Sequence, residues 1–178
     1  MNHRIRLVPR IALLAALIYV LSWGTSLLPN INLIFFFVFI AGFTWGTTPG
    51  IITGGLGMAL WTIFNPYGPA ATPVMLAQII GASLSGPIGS FYRNHNLDNK
   101  SKLIQNISLI IAALCATVFY YLPVNLVDAW VFQPFVPRFV TGMAWSLISI
   151  VGNAIIFPLL FAALKPFLLK EKEIWLKY

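Results

Sequence analysis

Residues 11–28 read IALLAALIYVLSWGTSLL, an apolar stretch that contains no charged side chain. A helix needs about 20 apolar residues to cross the hydrocarbon core of a bilayer, so this stretch has the composition and nearly the length of a membrane span. The remaining sequence is similar: of 178 residues, 59% are hydrophobic and 8% are charged, with a mean hydropathy of +0.86. A water-soluble domain needs more polar surface than this composition supplies, so we expect lipid to surround most of the chain.

Clusters of proline, glycine, asparagine and charged residues divide the apolar sequence into six helical segments. We predict an all-α membrane protein, one integral membrane domain over residues 1–178, with transmembrane helices at about 11–28, 31–46, 50–64, 73–92, 103–122 and 139–164. The second and third helices are short. At 1.5 Å per residue they reach only about 23 Å of a roughly 30 Å core, so they form a hairpin that either spans the membrane or stops short of it.

The positions of the basic residues predict an orientation. If the N-terminus is cytoplasmic, ten of the 11 Lys and Arg residues lie on the cytoplasmic side and only Arg138 lies outside. This bias follows the positive-inside rule and predicts that both termini are cytoplasmic. The ten residues are Arg4, Arg6, Arg10, Arg93, Lys100, Lys102, Lys165, Lys170, Lys172 and Lys177. Because they flank apolar segments, we interpret the net charge of +7 as a topology signal, and nucleic acid is not expected as a partner.

Three helices carry stripes of small and polar residues at helical spacing. The stripes are Gly50, Gly54, Gly57, Trp61 and Asn65; Gln78, Ala82, Ser85 and Gly89; and Arg138, Thr141, Trp145, Ser149 and Gly152. Small residues let helix backbones approach closely in lipid, so each stripe is expected to face the interior. The stripes are either packing seams only, or seams whose polar outer ends also line a binding site.

The polar ends of these stripes meet three loops at the predicted outer face. Convergent polar groups between aromatic walls are typical of a small-molecule site, although Trp and Tyr also gather at membrane interfaces. The candidate substrate-binding residues are Asn32, Trp61, Asn65, Tyr67, Gln78, Asn125, Asp128, Trp130, Arg138, Thr141 and Trp145. Arg138 either pairs with Asp128 or holds an acidic group of the ligand, so the expected ligand is planar and, in the second case, anionic.

The sequence offers no set of residues for catalysis. His3 and His95 lie in the predicted cytoplasmic flanks, and the predicted spans contain no Asp, Glu or Lys. The single Cys115 rules out an intrachain disulfide and a cysteine metal cluster, so no catalytic residue, metal site or cofactor is predicted. A proton-driven transporter normally places an ionisable residue within a span. A solute-binding chain without one is therefore expected to depend on a partner that supplies energy.

The chain resembles the substrate-binding S-component of an energy-coupling factor (ECF) vitamin transporter, a type of ATP-binding cassette (ABC) transporter. The resemblance rests on the six-helix body, the basic flanks, and the small Ala-x-x-x-Ala patch at Ala12 and Ala16, beside Ala15. It implies that this patch packs on a transmembrane coupling subunit driven by two cytoplasmic ATPases. It also implies a prokaryotic plasma membrane, and capture of a vitamin or related micronutrient outside. It further implies that the loops at 29–32, 65–72 and 123–137 close over the pocket, and that the protein topples in the membrane to release its substrate inside.

Two other classes of protein fit the pattern less well. One is a stand-alone transporter of small solutes, and the other is a membrane scaffold whose glycine stripes serve only protein contacts. A scaffold has no need for Asn65, Gln78, Trp145 and Arg138 to converge. The predicted convergence therefore favours solute binding.

Overall fold

The computed structural model describes residues 3–28 and 30–176 of the chain, with side chains described over 7–28 and 30–175. The predicted Pro29 boundary and Lys177 lie outside the described residues, and the side chains of Arg4 and Arg6 are not described. Helices follow one another along the chain: α1 His3–Thr25, α2 Ile34–Trp45, α3 Thr47–Phe64, α4 Thr72–Ser83, α5 Ser85–Asn94, α6 Lys102–Val131 and α7 Phe135–Leu176. Because α4 and α5 continue one another, the predicted six-helix fold is confirmed.

Several predicted helix ends were wrong, and proline is the common reason. Helix α6 continues through Pro123 to Val131, and α7 begins at Phe135 and continues through Pro158 and Pro166. The predicted loop at 123–137 therefore shrinks to residues 132–134. Proline is tolerated inside membrane helices because neighbouring helices and local backbone adjustments satisfy the freed carbonyl groups.

The fourth predicted helix is interrupted between α4 and α5, at Leu84. Pro87 explains the break, because it has no N–H to donate to the carbonyl of Ser83 and its ring crowds that carbonyl. Four stretches are long and apolar enough to cross a membrane: Leu7–Thr25, Thr72–Asn94, Lys102–Val131 and Phe135–Trp175.

Helix α2 lies at the centre of the bundle. Ten of its 12 residues are buried, and its length of about 18 Å is well below the thickness of a hydrocarbon core. Its aromatic side chains pack edge to face against other helices, including Phe36 on Phe157 at a ring separation of 5.4 Å and Phe39 on Tyr92 at 5.5 Å. A further contact joins Phe43 to Phe161 at 5.4 Å. These rings form a continuous aromatic core through the middle of the bundle.

Glycines allow α2, α3 and α5 to touch at the backbone. A Cβ atom on Gly86 would lie 2.5 Å from the carbonyl carbon of Gly50, and one on Gly42 would overlap the carbonyl oxygen of Gly86. Along α3, Gly54 meets the Cα of Ser83 and Gly57 meets Ile18 of α1. The glycine stripe of α3 is therefore a packing seam that contacts α1, α2, α4 and α5.

The bundle has two ends, which we name by what lies there. The terminal face comprises the start of α1, residues 95–102 and the end of α7, and the loop face comprises residues 26–28, 30–33, 65–71 and 132–134. At the terminal face Glu171 accepts from Arg10 at 2.7 Å, and Lys172 donates to the fully buried carboxylate of Asp98 at 2.8 Å. These neighbouring residues of α7 tie it to α1 and to the α5–α6 connection.

Candidate functional site

A polar cavity of about 360 Å³ opens at the loop face, between α1, α3, α4 and α6. Its walls carry hydroxyl and amide groups from Ser22, Thr25, Ser26, Asn30, Asn32, Gln78 and Asn125. Its aromatic side chains are Trp61, Tyr67, Tyr120 and Tyr121, and its aliphatic contacts are Leu28, Ile31 and Val124. The volume falls within the usual range for a small-molecule site.

The amide of Gln78 is oriented by α3. Its oxygen accepts a hydrogen bond from the hydroxyl of Thr62, whose side chain is buried. Within the described part of the chain the Gln78 nitrogen has no such bond, so both of its hydrogens are available to a ligand. Trp61, the residue before Thr62 on α3, supplies an indole ring to the same cavity.

The floor of the cavity comes from adjacent tyrosines of α6. Tyr120 and Tyr121 are buried, their rings lie perpendicular at a separation of 4.9 Å, and both pack edge to face on Phe35 of α2. One turn further along α6, Asn125 donates to the hydroxyl of Ser146 on α7 at 2.9 Å. Packing and hydrogen bonds therefore fix the floor before any ligand arrives.

Two loops reach across the cavity mouth. The hydroxyl of Tyr67 donates to the carbonyl of Ser26 at 2.6 Å, which joins loop 65–71 to the end of α1. Asn30 has a left-handed backbone (φ 54°), and its side-chain amide donates to the carbonyl of Trp145 on α7 at 2.7 Å. The Asn30 oxygen also accepts a long hydrogen bond from the hydroxyl of Tyr121 at 3.5 Å. Because only these few side-chain hydrogen bonds join the two loops to the bundle, the mouth can open at small energetic cost.

Asn65 organises the loop without lining the cavity. Its amide donates to the carbonyl of Gly68 at 2.9 Å, and its oxygen accepts from the backbone N–H of Tyr67, also at 2.9 Å. This arrangement is an Asx turn that sets the direction of the Tyr67 side chain. Asn65 was predicted to bind substrate, and in the structure it lies outside the cavity lining and orients the loop that carries Tyr67.

Five other predicted site residues lie outside the polar cavity. Asp128, Arg138, Thr141 and Trp145 line a separate shallow groove between the ends of α6 and α7. Arg138 makes a bidentate ion pair with Asp128: its Nε donates to Oδ2, and its Nη2 donates to Oδ1 at 3.2 Å. The Arg138 guanidinium also lies 4.7 Å from the ring centre of Phe132. Trp130 is 68% exposed and lines neither the cavity nor the groove. The structure thus shows the internal Arg138–Asp128 pair, the first of the two alternatives, as formed.

In the first turns of α7, the stripe of residues that was predicted to face the interior does not face it. Arg138, Thr141 and Trp145 are exposed, whereas the next polar residues along α7 that are buried are Ser146, Ser149 and Asn153. Ser149 alone of the predicted stripe is fully buried. The α7 surface that packs on α6 includes Gly142 and Ser146, which contact Asn125.

Some cavity residues were missed in the sequence. Tyr120 and Tyr121 were placed at the end of a helix, and only the continuation of α6 through Pro123 puts Tyr121 and Asn125 on one face. Ser22, Thr25 and Ser26 cluster at the end of α1 among apolar residues, which was a signal available in the sequence. Each hydroxyl donates to a carbonyl of its own helix, so its oxygen can still accept from a ligand.

The alanine patch of α1 divides between two surfaces. Ala12 and Ala16 are exposed on the side of α1 away from the bundle, while Ala15 is 2% exposed and packs inside. Ala15 is therefore unavailable to another subunit. The exposed pair, with Leu13 and Val20 nearby, leaves a smooth apolar strip along α1.

Among the described residues, those that line the cavity include no charged side chain. No Asp, Glu, Lys, Arg or His is among the residues that line it. Within residues 3–28 and 30–176, no three His, Cys, Asp or Glu side chains cluster in a way that could hold a metal ion.

The chain was compared with known proteins. A family model described as "ECF-type riboflavin transporter, S component" matches residues 2–166. No curated protein and no solved structure matches the chain. The family match covers nearly the whole sequence and agrees with the apolar six-helix bundle. This chain therefore belongs to the family of ECF-type riboflavin transporter S components.

Proposed function

We propose that this membrane transporter subunit binds riboflavin in the polar cavity, as the capture step of vitamin uptake. The observation that carries the proposal is the lining of the cavity, in which aromatic walls alternate with uncharged hydrogen-bonding groups. Riboflavin has the matching chemistry: a planar tricyclic ring with one polar edge, and a flexible chain of hydroxyl groups. The family match supports this choice of substrate.

Each part of riboflavin has a complementary surface. The ring system fits between Trp61 and the Tyr120–Tyr121 floor, where aromatic faces stack on planar ligands. The free hydrogens of the Gln78 amide suit a carbonyl on the polar edge of the ring. The hydroxyl-bearing chain fits the mouth, where Ser22, Thr25 and Asn32 offer acceptors and donors.

A neutral substrate fits better than an anionic one. A phosphate buried in this cavity would meet no cation, and burying an unpaired charge is costly. Arg138, the basic residue expected to hold an acidic group, is engaged by Asp128 in the separate groove. We therefore propose that the protein prefers riboflavin to its phosphorylated derivatives.

We propose further that the loop face is extracellular and the terminal face cytoplasmic, as the positive-inside rule predicts. Ala12 and Ala16 then contact the transmembrane coupling subunit, and two cytoplasmic ATPases supply the energy. The aromatic core below the cavity supports release by toppling of the whole body. A path through the protein would have to separate packed rings such as Phe39 and Phe157, 5.2 Å apart.

A binding titration tests the capture step. Riboflavin fluorescence should fall on addition of the purified protein, because stacking on aromatic side chains quenches the flavin. Trp61→Ala and Gln78→Leu should each weaken binding about tenfold or more, through lost stacking or an unpaired buried polar group. Trp130→Ala is the matched control, since Trp130 is exposed outside the cavity, and it should bind as the wild type does. Equal affinity of all four proteins would refute the assigned site.

Co-purification tests the partner surface. Ala12→Trp combined with Ala16→Trp should abolish assembly with the coupling subunit while riboflavin binding is retained, because bulky side chains prevent close helix approach. Leu147→Trp is the control, since Leu147 is 58% exposed on α7, away from α1. Unchanged assembly of the double variant would exclude this surface. Full riboflavin uptake by the chain alone would exclude the need for partners.

A further inference from the structure

Thr62 lies directly behind the wall of the polar cavity. It is 1% exposed, in the last turn of α3, and it is not among the residues that line the cavity. The residues beside it do line the cavity: Trp61 precedes it on α3, and Gln78 faces it from α4. The hydroxyl of Thr62 donates a hydrogen bond to the side-chain oxygen of Gln78. Thr62 therefore acts on the cavity through another residue.

This hydrogen bond differs from those of the other buried threonines. The hydroxyls of Thr44, Thr53 and Thr117 each donate to the carbonyl four residues earlier in their own helix, at 2.7 to 2.8 Å. Threonines inside helices commonly bond in this way. The Thr62 hydroxyl instead reaches across to α4, and within the described part of the chain Gln78 is its one acceptor. The bond thus joins two helices that form opposite parts of the cavity wall.

The bond decides which end of the Gln78 amide faces the cavity. A hydroxyl that donates its one hydrogen needs an oxygen in front of it, so the amide nitrogen is turned the other way. The nitrogen then presents its hydrogens to the cavity, and a ligand meets a donor at this position. No other hydrogen bond among the described residues distinguishes the two ends of this amide.

The backbone of Thr62 is fixed by the loop that reaches across the cavity mouth. Its carbonyl accepts from the backbone N–H of Ala70 at 3.2 Å and from the side-chain amide of Asn65 at 3.3 Å. These contacts come from both ends of loop 65–71. They hold Thr62 in place, so the position of its hydroxyl is set before a ligand arrives.

We propose that Thr62 is a positioning residue that sets the hydrogen-bond polarity of the polar cavity, and thereby its selectivity. By holding the Gln78 oxygen, Thr62 makes this part of the wall a donor, which favours a ring edge that carries a strong acceptor. The inference rests on the proposed function, because riboflavin is the ligand whose carbonyl edge is recognised. Thr62 itself has no contact with the ligand.

Calorimetric titration with riboflavin and its two monothio analogues tests the inference. In each analogue sulfur, a weak acceptor, replaces one carbonyl oxygen of the polar edge. Thr62→Val keeps the shape of the side chain but lets the Gln78 amide turn. For the analogue whose sulfur faces Gln78, we expect the ratio of riboflavin affinity to analogue affinity to be about 2- to 12-fold lower in Thr62→Val than in the wild type. The larger size of sulfur affects both proteins equally, so the change in this ratio reports the hydrogen bond.

Two variants separate positioning from a general effect on structure. Thr62→Ser keeps the hydroxyl and should keep the wild-type ratio. Thr53→Val removes a buried hydroxyl from the same helix without contact to Gln78, and it should also keep the wild-type ratio. Circular dichroism melting curves establish that each variant is folded, and Thr62→Ala replaces Thr62→Val if the latter unfolds.

The outcomes distinguish this inference from the proposed function. If the wild type binds riboflavin but Thr62→Val keeps the wild-type ratio for both analogues, the inference is overturned and the capture site stands. An equal fall of the ratio in Thr53→Val also overturns it, since the effect would then be structural. A wild type that binds no riboflavin overturns the proposed function and this inference together.

Discussion

Substitution of Lys172 by methionine should destabilise the protein strongly, because it leaves a buried carboxylate without its counter-ion. The carboxylate of Asp98 is fully buried, and the side chain of Lys172 is 10% exposed. Among the described residues only Oδ2 of Asp98 has a partner, since Oδ1 accepts no hydrogen bond there. Methionine preserves the packing of the long side chain over the ring of Phe43, where the ammonium now lies at 5.1 Å. The change therefore removes mainly the charge.

The separation of the two charges gives the size of the effect. At 2.8 Å their attraction is about 6 kcal/mol with an effective dielectric constant of about 20, part of which offsets the cost of burying both groups. Breaking one side of a buried pair costs about 3–5 kcal/mol. For a chain of this length that corresponds to a fall of roughly 6–20 °C in melting temperature.

Thermal unfolding in detergent, followed by circular dichroism, measures the change. Glu171→Gln is the matched control on the adjacent residue, because its partner Arg10 is 35% exposed and the pair should contribute about 1 kcal/mol or less. Asp98→Asn combined with Lys172→Met removes both charges and should recover much of the lost stability. The reasoning is refuted if Lys172→Met melts like the wild type. It is also refuted if the double variant is less stable than Lys172→Met alone.

Three further predictions concern packing and the cavity. Gly86→Ala should destabilise the bundle by about 1–3 kcal/mol, because the added Cβ would meet the backbone of Gly50. Gly152→Ala is the control: the space around Gly152 is open, so this variant should be neutral or stabilising. Thermal unfolding compares the two variants. Arg138→Ala should leave riboflavin affinity unchanged, since Arg138 lies outside the cavity; a tenfold loss in a fluorescence titration would return it to the site. Tyr67→Phe should speed riboflavin release about 2- to 12-fold, because the hydrogen bond from the Tyr67 hydroxyl to Ser26 is lost. Stopped-flow fluorescence measures the release rate. An unchanged rate would mean that loop 65–71 does not retain the ligand.

The number of helices and the packing face of α3 were predictable because both depend on composition and spacing. Gly50, Gly54 and Gly57 all meet neighbouring helices in the structure. The ends of α6 and α7 were not predictable from local sequence. Pro123 and Pro166 are strong helix breakers in water, whereas both lie inside helices here because tertiary contacts compensate for the missing hydrogen bonds.

The candidate site was predicted in part. Asn32, Trp61, Tyr67, Gln78 and Asn125 were expected to converge, and the structure brings them to one cavity. Arg138 and Trp145 were grouped with them because spacing defines a face of a helix but not the direction in which that face points. That direction depends on the packing of α7 on α6, which includes the contact between Asn125 and Ser146 on different helices. Sequence periodicity alone holds no information about such a contact.

The most direct test of the account is an experimental structure of the purified protein with riboflavin bound. We predict density for the flavin ring in contact with Trp61 and Tyr121, with its polar edge toward the amide of Gln78, and the Arg138–Asp128 pair intact. Flavin density in the groove beside Arg138 and Trp145, or a protein that binds no riboflavin, would contradict the proposed capture site.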